Sequence, residues 1–282
     1  MVRLILLEPQ LRHAAGENNL GPIRALLEKS GFLPAPEDVL LLPERFHFGA
    51  SEESYVSDLT SLARELGCCV VGGSHQEQRA GYAVNSGLVI APDTTIVGRY
   101  EKLRPYANER GWVKPGSALG ELVLGGRNVL ILICADFWFS DLIQRAERLP
   151  DLVLVPALSV TRKPTPDYSR ALWRHLCIAR AYEFGAYVGV SDWGYPSELM
   201  PAAEVDAQVR ALRSAGELPR FSSGVAGFAD PTTTDPARLF QPVGPSGIRA
   251  YAIDFPALEA FRRDRIDRGF FWKGSKDAVE QA

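Results

Sequence analysis

Apolar runs of strand length alternate with segments of helical period along most of this chain, and that alternation restricts it to an α/β architecture. VRLILLE opens as a strand. NNLGPIRALLEKSGF then reads as a helix, with Asn18 or Asn19 as cap, Pro22 in the first turn and Gly31 closing it. DVLLLPE is a second strand, and SEESYVSDLTSLARELG is a helix between Ser51 as cap and Gly67 at its C-terminal end. CCVVGGS and YAVNSGLVIA are strands, and Pro92-Asp93 turns the latter into TTIVGRYEK, which makes a hairpin. After Cys134 the pattern predicts a helix to about Arg148, strand LVLVPA, a helix from about Tyr168 to Phe184 capped by Asp167, and strand AYVGVSD. Beyond Trp193, PAAEVDAQVRALRSAG has helical character, SSGVAGFAD and IRAYAID read as late strands, and FPALEAFRRDRIDRG as a terminal helix. PTTTDPARLFQPVGPSG between them reads as loop. With no repeat, low-complexity tract or linker, residues 1–270 are expected to form a single domain, and 271–282 a polar C-terminal tail, disordered or docked on a partner subunit.

Composition removes several function classes. The net charge of -3 offers no basic patch for nucleic acid, and FRRDRIDR alternates in sign as a solvated helix face does. The opening apolar run is too short for a signal peptide, and no run approaches the roughly 18 apolar residues of a membrane span. A cytoplasmic protein is the expectation. Cys68, Cys69, Cys134 and Cys177 contain no C-x-x-C pair, which fits free thiols in a reducing compartment. His13, His47, His75 and His175 lie far apart without an H-x-x-x-H pair, which argues against zinc.

Three reactive groups stand just past apolar runs: Glu44 after DVLLLP, Lys102 after TTIVGRYE and Cys134 after NVLILI. Each has a plain reading: Glu44 as a turn carboxylate, Lys102 in an exposed cluster with Glu101 and Arg104, Cys134 as a small apolar core residue. Together they have a second. Functional groups collect at the carboxyl ends of strands in α/β sheets, and a carboxylate, an ammonium and a thiol suit acyl transfer through a thioester. Glu44 would take the thiol proton and Lys102 would stabilise the oxyanion. A helix starting after Cys134 would aim backbone N–H groups at the same place. Whether those strand ends meet is open at this level.

Asp136 reads either as a partner for backbone groups near the cysteine or as an early-helix acid. Tyr106, Asn108, Trp138, Asp192 and Trp193 lie near the ends of these runs, as lining of an acyl pocket or as core. Arg104 and Arg110 would attract a carboxylate substrate or simply be solvated. Trp173 and Cys177, four residues apart, fit one buried helix face, and Cys68 and Cys69 read as structural. GVSDWG around Ser191 misses the G-x-S-x-G spacing of a serine hydrolase, and LGGRNVL leads into a strand where a phosphate loop needs a helix.

LLPERF, GRYEKLRPYANERGWVKPG and ILICADFWFSDL resemble, in order, the three catalytic motifs of the nitrilase, or carbon–nitrogen hydrolase, superfamily. WRHLCIARAYEFGAYVGVSD resembles its long helix and following strand, and AGFADPTT and AYAIDF its closing strands. The resemblance implies a four-layer αββα sandwich that assembles through a helical face into a homodimer or larger homo-oligomer, and chemistry without metal or organic cofactor. It makes Glu44 the general base, Lys102 the oxyanion stabiliser, Cys134 the nucleophile and Glu109 a second glutamate that positions substrate, with the Ala135 N–H completing the oxyanion hole. Amidase-like members read C-x-D-x-x-F-P-E after the cysteine. Here Asp136 and Phe139 match, Ser140 replaces proline and Asp141 shortens the glutamate. The resemblance therefore implies a small amide or N-carbamoyl substrate. Nitrilase and acyltransferase chemistry are the alternatives, and the Ser140 and Asp141 departures motivate a third, a scaffold that binds without turnover.

Overall fold

In the first strand, β1 (Arg3–Leu7), successive side chains part company: Leu4 and Leu6 enter one buried cluster, Ile5 and Leu7 another. The same alternation in β2 (Val39–Leu41) and β3 (Cys69–Val71) gives each strand two apolar faces, as a sheet covered on both sides requires. One face packs under α1 (Leu20–Ser30) and α2 (Glu52–Leu66) through Ile23, Leu27, Tyr55, Leu59 and Leu62. The other packs against a second sheet. The computed structural model describes residues 2–12, 18–47, 51–161, 165–195, 197 and 221–271, apart from the side chain of Asn108.

The first sheet also holds β4 (His75–Arg79), β5 (Tyr82–Ile90), β6 (Ile96–Glu101) and β15 (Ile248–Ala252). Its order is β15-β1-β2-β3-β5-β4, with β6 on the other edge of β5, and β1, β2 and β3 are parallel. The second sheet is built from β7 (Gly120–Leu124), β8 (Arg127–Ile131), β9 (Leu152–Pro156), β11 (Tyr187–Ser191), β13 (Gly227–Ala229) and β14 (Phe240–Pro242). Its order is β14-β13-β11-β9-β8-β7, with β8, β9 and β11 parallel at the centre. A two-stranded pair, β10 (Val160–Thr161) with β12 (Phe221–Ser222), lies apart from both. Helices α4 (Asp167–Phe184) and α5 (Phe255–Asp267) cover the outer face of the second sheet through Trp173, Cys177, Ala181 and Leu258. The layers are thus αββα, as the family resemblance implies. Among the described residues no helix is long and apolar enough to cross a membrane.

Local expectations differ in four places. The helix predicted from Cys134 to about Arg148 is a 3₁₀ turn (Cys134–Trp138) and one α-helical turn, α3 (Asp141–Gln144), divided by Phe139 in extended backbone (φ −120°, ψ 139°). Asp167 is the first residue of α4 and accepts Thr165 Oγ1 at 2.8 Å, while Pro166 holds the cap position. Asn19 does stand at the cap of α1, but its side chain bonds the backbone of Arg12. PTTTDPARLFQPVGPSG, read as loop, contains β14, whose Phe240 is buried. The segment PAAEVDAQVRALRSAG and nearly all of the polar tail lie outside the described residues.

Candidate active site

The parallel strands of both sheets end at the same edge of the sandwich, and the reactive groups stand there. The backbone N–H of Glu44, three residues past β2, donates to Ala157 O, just past β9, at 3.2 Å, which ties the two sheets together at this edge. β6 delivers Lys102, whose N–H donates to Asn85 O at 2.8 Å. β8 delivers Cys134 through Leu132 and Ile133. The backbone at Cys134 is left-handed (φ 47°). Such a conformation is strained for a residue with a Cβ, and strain of this kind gathers at functional sites. Arg45 (φ 53°) and Ala107 (φ 49°), two of the five non-glycine left-handed residues among the described ones, flank the same centre.

Lys102 Nζ donates to Glu44 Oε1 and to Glu109 Oε2, both at 2.6 Å. An ammonium has three N–H donors, so one remains for another acceptor. The Lys102 side chain is only 2 % exposed, which sets aside its reading as part of a surface charge cluster. Its neighbours Glu101 and Arg104 instead pair with Arg79 and Asp141. Burial by itself would lower the Lys102 ammonium, but the Glu44 and Glu109 carboxylates outweigh it and hold the group above its ordinary value.

Glu109 accepts Arg45 Nη2 at 2.7 Å, Asn85 Nδ2 at 3.0 Å and the Tyr106 N–H at 2.9 Å as well. Its burial favours the neutral acid, yet Lys102 and Arg45 prevail and bring it down to about 2. Glu44, Glu109, Lys102 and Arg45 therefore form a buried cluster of two anions and two cations. Arg45 also stacks on Trp112, with its guanidinium 4.6 Å from the ring centroid.

Cys134 Sγ donates to Leu158 O at 3.7 Å, and the N–H of the same Leu158 donates to Glu44 Oε2 at 3.1 Å. Burial first, then the charge of Glu44, push the thiol well above its ordinary value against the pull of Lys102. The shift favours a neutral thiol beside the Glu44 carboxylate, and a thiol of this kind is a nucleophile only as the thiolate. Cys68 and Cys69 are also raised, to about 12, chiefly by burial, with Cys69 and Asp38 adding to the rise at Cys68.

The remaining candidates divide. Asp136 accepts the N–H groups of Leu103 at 3.1 Å and Arg104 at 2.7 Å, so it joins the turn after Cys134 to the loop after Lys102. Burial raises it to about 6. Ala135 follows Cys134 in the 3₁₀ turn, and both are buried. Asp192 accepts the N–H and hydroxyl of Ser159 and the Val225 N–H, so its oxygens are spent on fastening the segment after β9. Trp193 is a fully buried core side chain, and its Nε1 donates to Glu44 O at 2.7 Å. Trp138 packs edge-on against Trp173 at 5.8 Å. The Tyr106 side chain is exposed, and its backbone meets Glu109, the N–H donating to the carboxylate and the carbonyl accepting the Glu109 N–H at 3.1 Å. The Asn108 side chain lies outside the described residues. Among the described residues no group of three or more His, Cys, Asp or Glu side chains is placed to hold a metal ion.

Sequence reasoning passed over Asn85 and Arg45. A visible signal did exist for the first: an asparagine inside the apolar run of β5, where β propensity and burial both disfavour it.

A family model described as "Carbon-nitrogen hydrolase" matches residues 30–210, the stretch that carries Glu44, Lys102, Glu109 and Cys134. The chain is 27% identical over 172 residues to the omega-amidase NIT2 of Homo sapiens, covering 53% of this chain and 60% of that protein. It is 26% identical over 176 residues to the apolipoprotein N-acyltransferase of Geobacter metallireducens, covering 54% of this chain and 33% of that protein. The match thus spans from a third to about six tenths of these relatives' own length. Among solved structures, Nit3 of Saccharomyces cerevisiae, a member of branch 10 of the nitrilase superfamily, superposes with a TM-score of 0.70 at 17% identity, covering 93% of each chain. At that identity the likeness is one of fold, and the family model carries the assignment further: the chain belongs to the carbon–nitrogen hydrolase family.

Proposed function

We propose that this chain is a thiol hydrolase that cleaves a non-peptide C–N bond of a small amide or N-carbamoyl compound through a Cys134 thioester. The observation that carries the reading is the meeting, at one edge of the sandwich, of the strained Cys134 with the Glu44–Lys102–Glu109 cluster. Glu44 takes the Sγ proton as sulfur attacks the carbonyl carbon. Negative charge grows on the carbonyl oxygen and is met by the remaining Lys102 N–H and the Ala135 amide. Collapse breaks the C–N bond, and Glu44 returns its proton to the departing ammonia or amine. Water, deprotonated by Glu44, then attacks the thioester and releases the acid and the thiol. Glu109 holds the Lys102 ammonium in place and in its charged form.

The omega-amidase among the relatives supports hydrolysis. The N-acyltransferase among them supports a second reading, in which an amine takes the acyl group from the same thioester. A cytoplasmic setting fits the four free thiols. Assembly of copies through the helical face also belongs to this proposal, supported by exposed Tyr182 and Phe270, both packed on Arg265 of the outer layer.

Ammonia release over a panel of amides, N-carbamoyl amino acids and nitriles tests the reading. Wild type should turn over at least one amide or carbamoyl compound, iodoacetamide should alkylate Cys134 first and abolish turnover, and Cys134→Ala should be inactive but folded. Turnover by Cys134→Ala equal to wild type would overturn it. So would a wild-type protein inert across the panel with an unreactive Cys134, which would leave a binding scaffold. Hydroxamate formed in the presence of hydroxylamine would favour transfer.

A further inference from the structure

We propose that Asn85 is the positioning residue of this centre: its side-chain amide fastens one oxygen each of Glu44 and Glu109, and so reserves the other Glu44 oxygen for the Cys134 proton. The inference rests on the thioester reading above and adds to it which oxygen is the base and what selects it.

Asn85 lies inside β5 and is fully buried. Its Nδ2 donates to Glu44 Oε1 at 2.8 Å and to Glu109 Oε1 at 3.0 Å, while its backbone carbonyl accepts the Lys102 N–H at 2.8 Å. One residue thus touches three members of the cluster. The orientation of the amide is set by charge, because an oxygen turned toward two carboxylates would be repelled while two N–H groups are attracted. Among the described residues, that orientation leaves Oδ1 buried with no hydrogen-bond partner. Buried acceptors are seldom left so, and here the unpaired oxygen accompanies two charge-assisted bonds on the other side of the amide.

The consequence falls on Glu44. Its Oε1 accepts from both Lys102 and Asn85, whereas among the described residues Oε2 accepts only the Leu158 N–H. Oε2 has lone-pair capacity to spare, and it shares the Leu158 peptide with the thiol, whose Sγ–H faces Leu158 O. Proton transfer from Sγ to Oε2 therefore leaves the bonds of Oε1 to Lys102 and Asn85 in place. Without the amide, Glu44 Oε1 keeps only its bond to Lys102 and the carboxylate is held less firmly. Of the two donors that the carboxylates share, Lys102 and Asn85, one is gone, and the charged form that serves as base loses a hydrogen bond.

The test uses iodoacetamide as the probe, following the alkylation rate of Cys134 against pH in wild type, Asn85→Leu and Asn85→Ser. Asn85→Leu keeps the approximate volume without donors, and Asn85→Ser keeps one donor. Loss of two hydrogen bonds to charged groups should slow alkylation at neutral pH by about ten- to a hundredfold in Asn85→Leu, with Asn85→Ser between it and wild type. The acid limb of the rate profile should move to higher pH in the same order. With an amide turned over by wild type, kcat should fall while KM holds, because Asn85 does not touch substrate. A purely structural asparagine would change the amount of folded protein but leave the acid limb where it is. Wild-type alkylation rate and limb in folded variants overturn the proposal, and if Asn85→Leu fails to fold, Asn85→Ser decides by the same two readings. Failure of the thioester reading would show in wild type itself, as an unreactive Cys134 and no ammonia release.

Discussion

At Cys134, burial and the proposed reactivity pull in opposite directions. Burial raises its thiol, as it raises those of Cys68, Cys69 and Cys177, so burial cannot tell this cysteine from the others. The distinction lies in its company, Glu44 and Lys102, which in the proposed mechanism receive the proton and favour the charge that develops. Glu109 shows how such an assembly contributes to stability. Its carboxyl sits at about 2 in the folded protein against an ordinary 4.5. A depressed carboxyl stabilises the fold above its unfolded value, and that contribution disappears as pH falls through the folded one. Glu109→Gln should therefore lower stability at neutral pH by about 3 kcal/mol, the scale for removing one partner from a buried pair. The gap from wild type should close as pH drops from about 4.5 to about 2, which urea titrations over a pH series would follow. Alkylation of Cys134 should slow as well, because the Lys102 ammonium loses one of its two anionic partners.

The elements differ in how openly the sequence declares them. α2 announces both ends: Ser51 Oγ accepts the Ser54 N–H at 3.1 Å, and Gly67 closes the helix in left-handed backbone (φ 62°). Ser51→Ala should cost about 1 kcal/mol in chemical denaturation and leave Cys134 alkylation unchanged, because α2 lies on the outer layer. β1, β2, β5 and β11 are equally plain, being apolar runs bounded by turn residues. By contrast β4 reads HQEQR, an edge strand whose polar side chains give no apolar period, and its ladder with β5 comes from the tight turn at Gly81. The segment after Cys134 misleads in the other direction. Its apolar residues suit a helix, but Asp136 spends its carboxylate on Leu103 and Arg104 across the site, and extended Phe139 ends the 3₁₀ turn. Asp141, one of the departures from the family pattern, pairs there with Arg104.

For the molecule as a whole, the distance between the two sheets decides whether the site exists, because Glu44 and Lys102 come from one sheet and Cys134 from the other. Gly120 in β7 marks a place where that distance is tight. A Cβ there would lie 2.7 Å from the carbonyl oxygen of Ile131 in β8 and 2.7 Å from the Cβ of Tyr100 in β6. Neither of those atoms can swing away as a side-chain tip does. Gly120→Ala should lower stability by about 1–3 kcal/mol through overpacking, and thermal unfolding would measure it. Cys134 alkylation should slow with it if the sheets part at this edge.

By itself the sequence determined the α/β class, most strands and helices, and the three groups waiting just past strand ends, because apolar period and turn chemistry are local and act wherever the chain goes. The roles of those groups came by resemblance to a family. Only the tertiary structure decided that the strand ends meet across two sheets and that Asp192 and Trp193 serve as fastenings of the frame. It also brought Asn85 and Arg45 to the carboxylates. These are contacts between residues far apart along the chain, fixed by strand order and by the left-handed turn at Cys134, and no local pattern records which distant residue will supply a buried carboxylate with its donor.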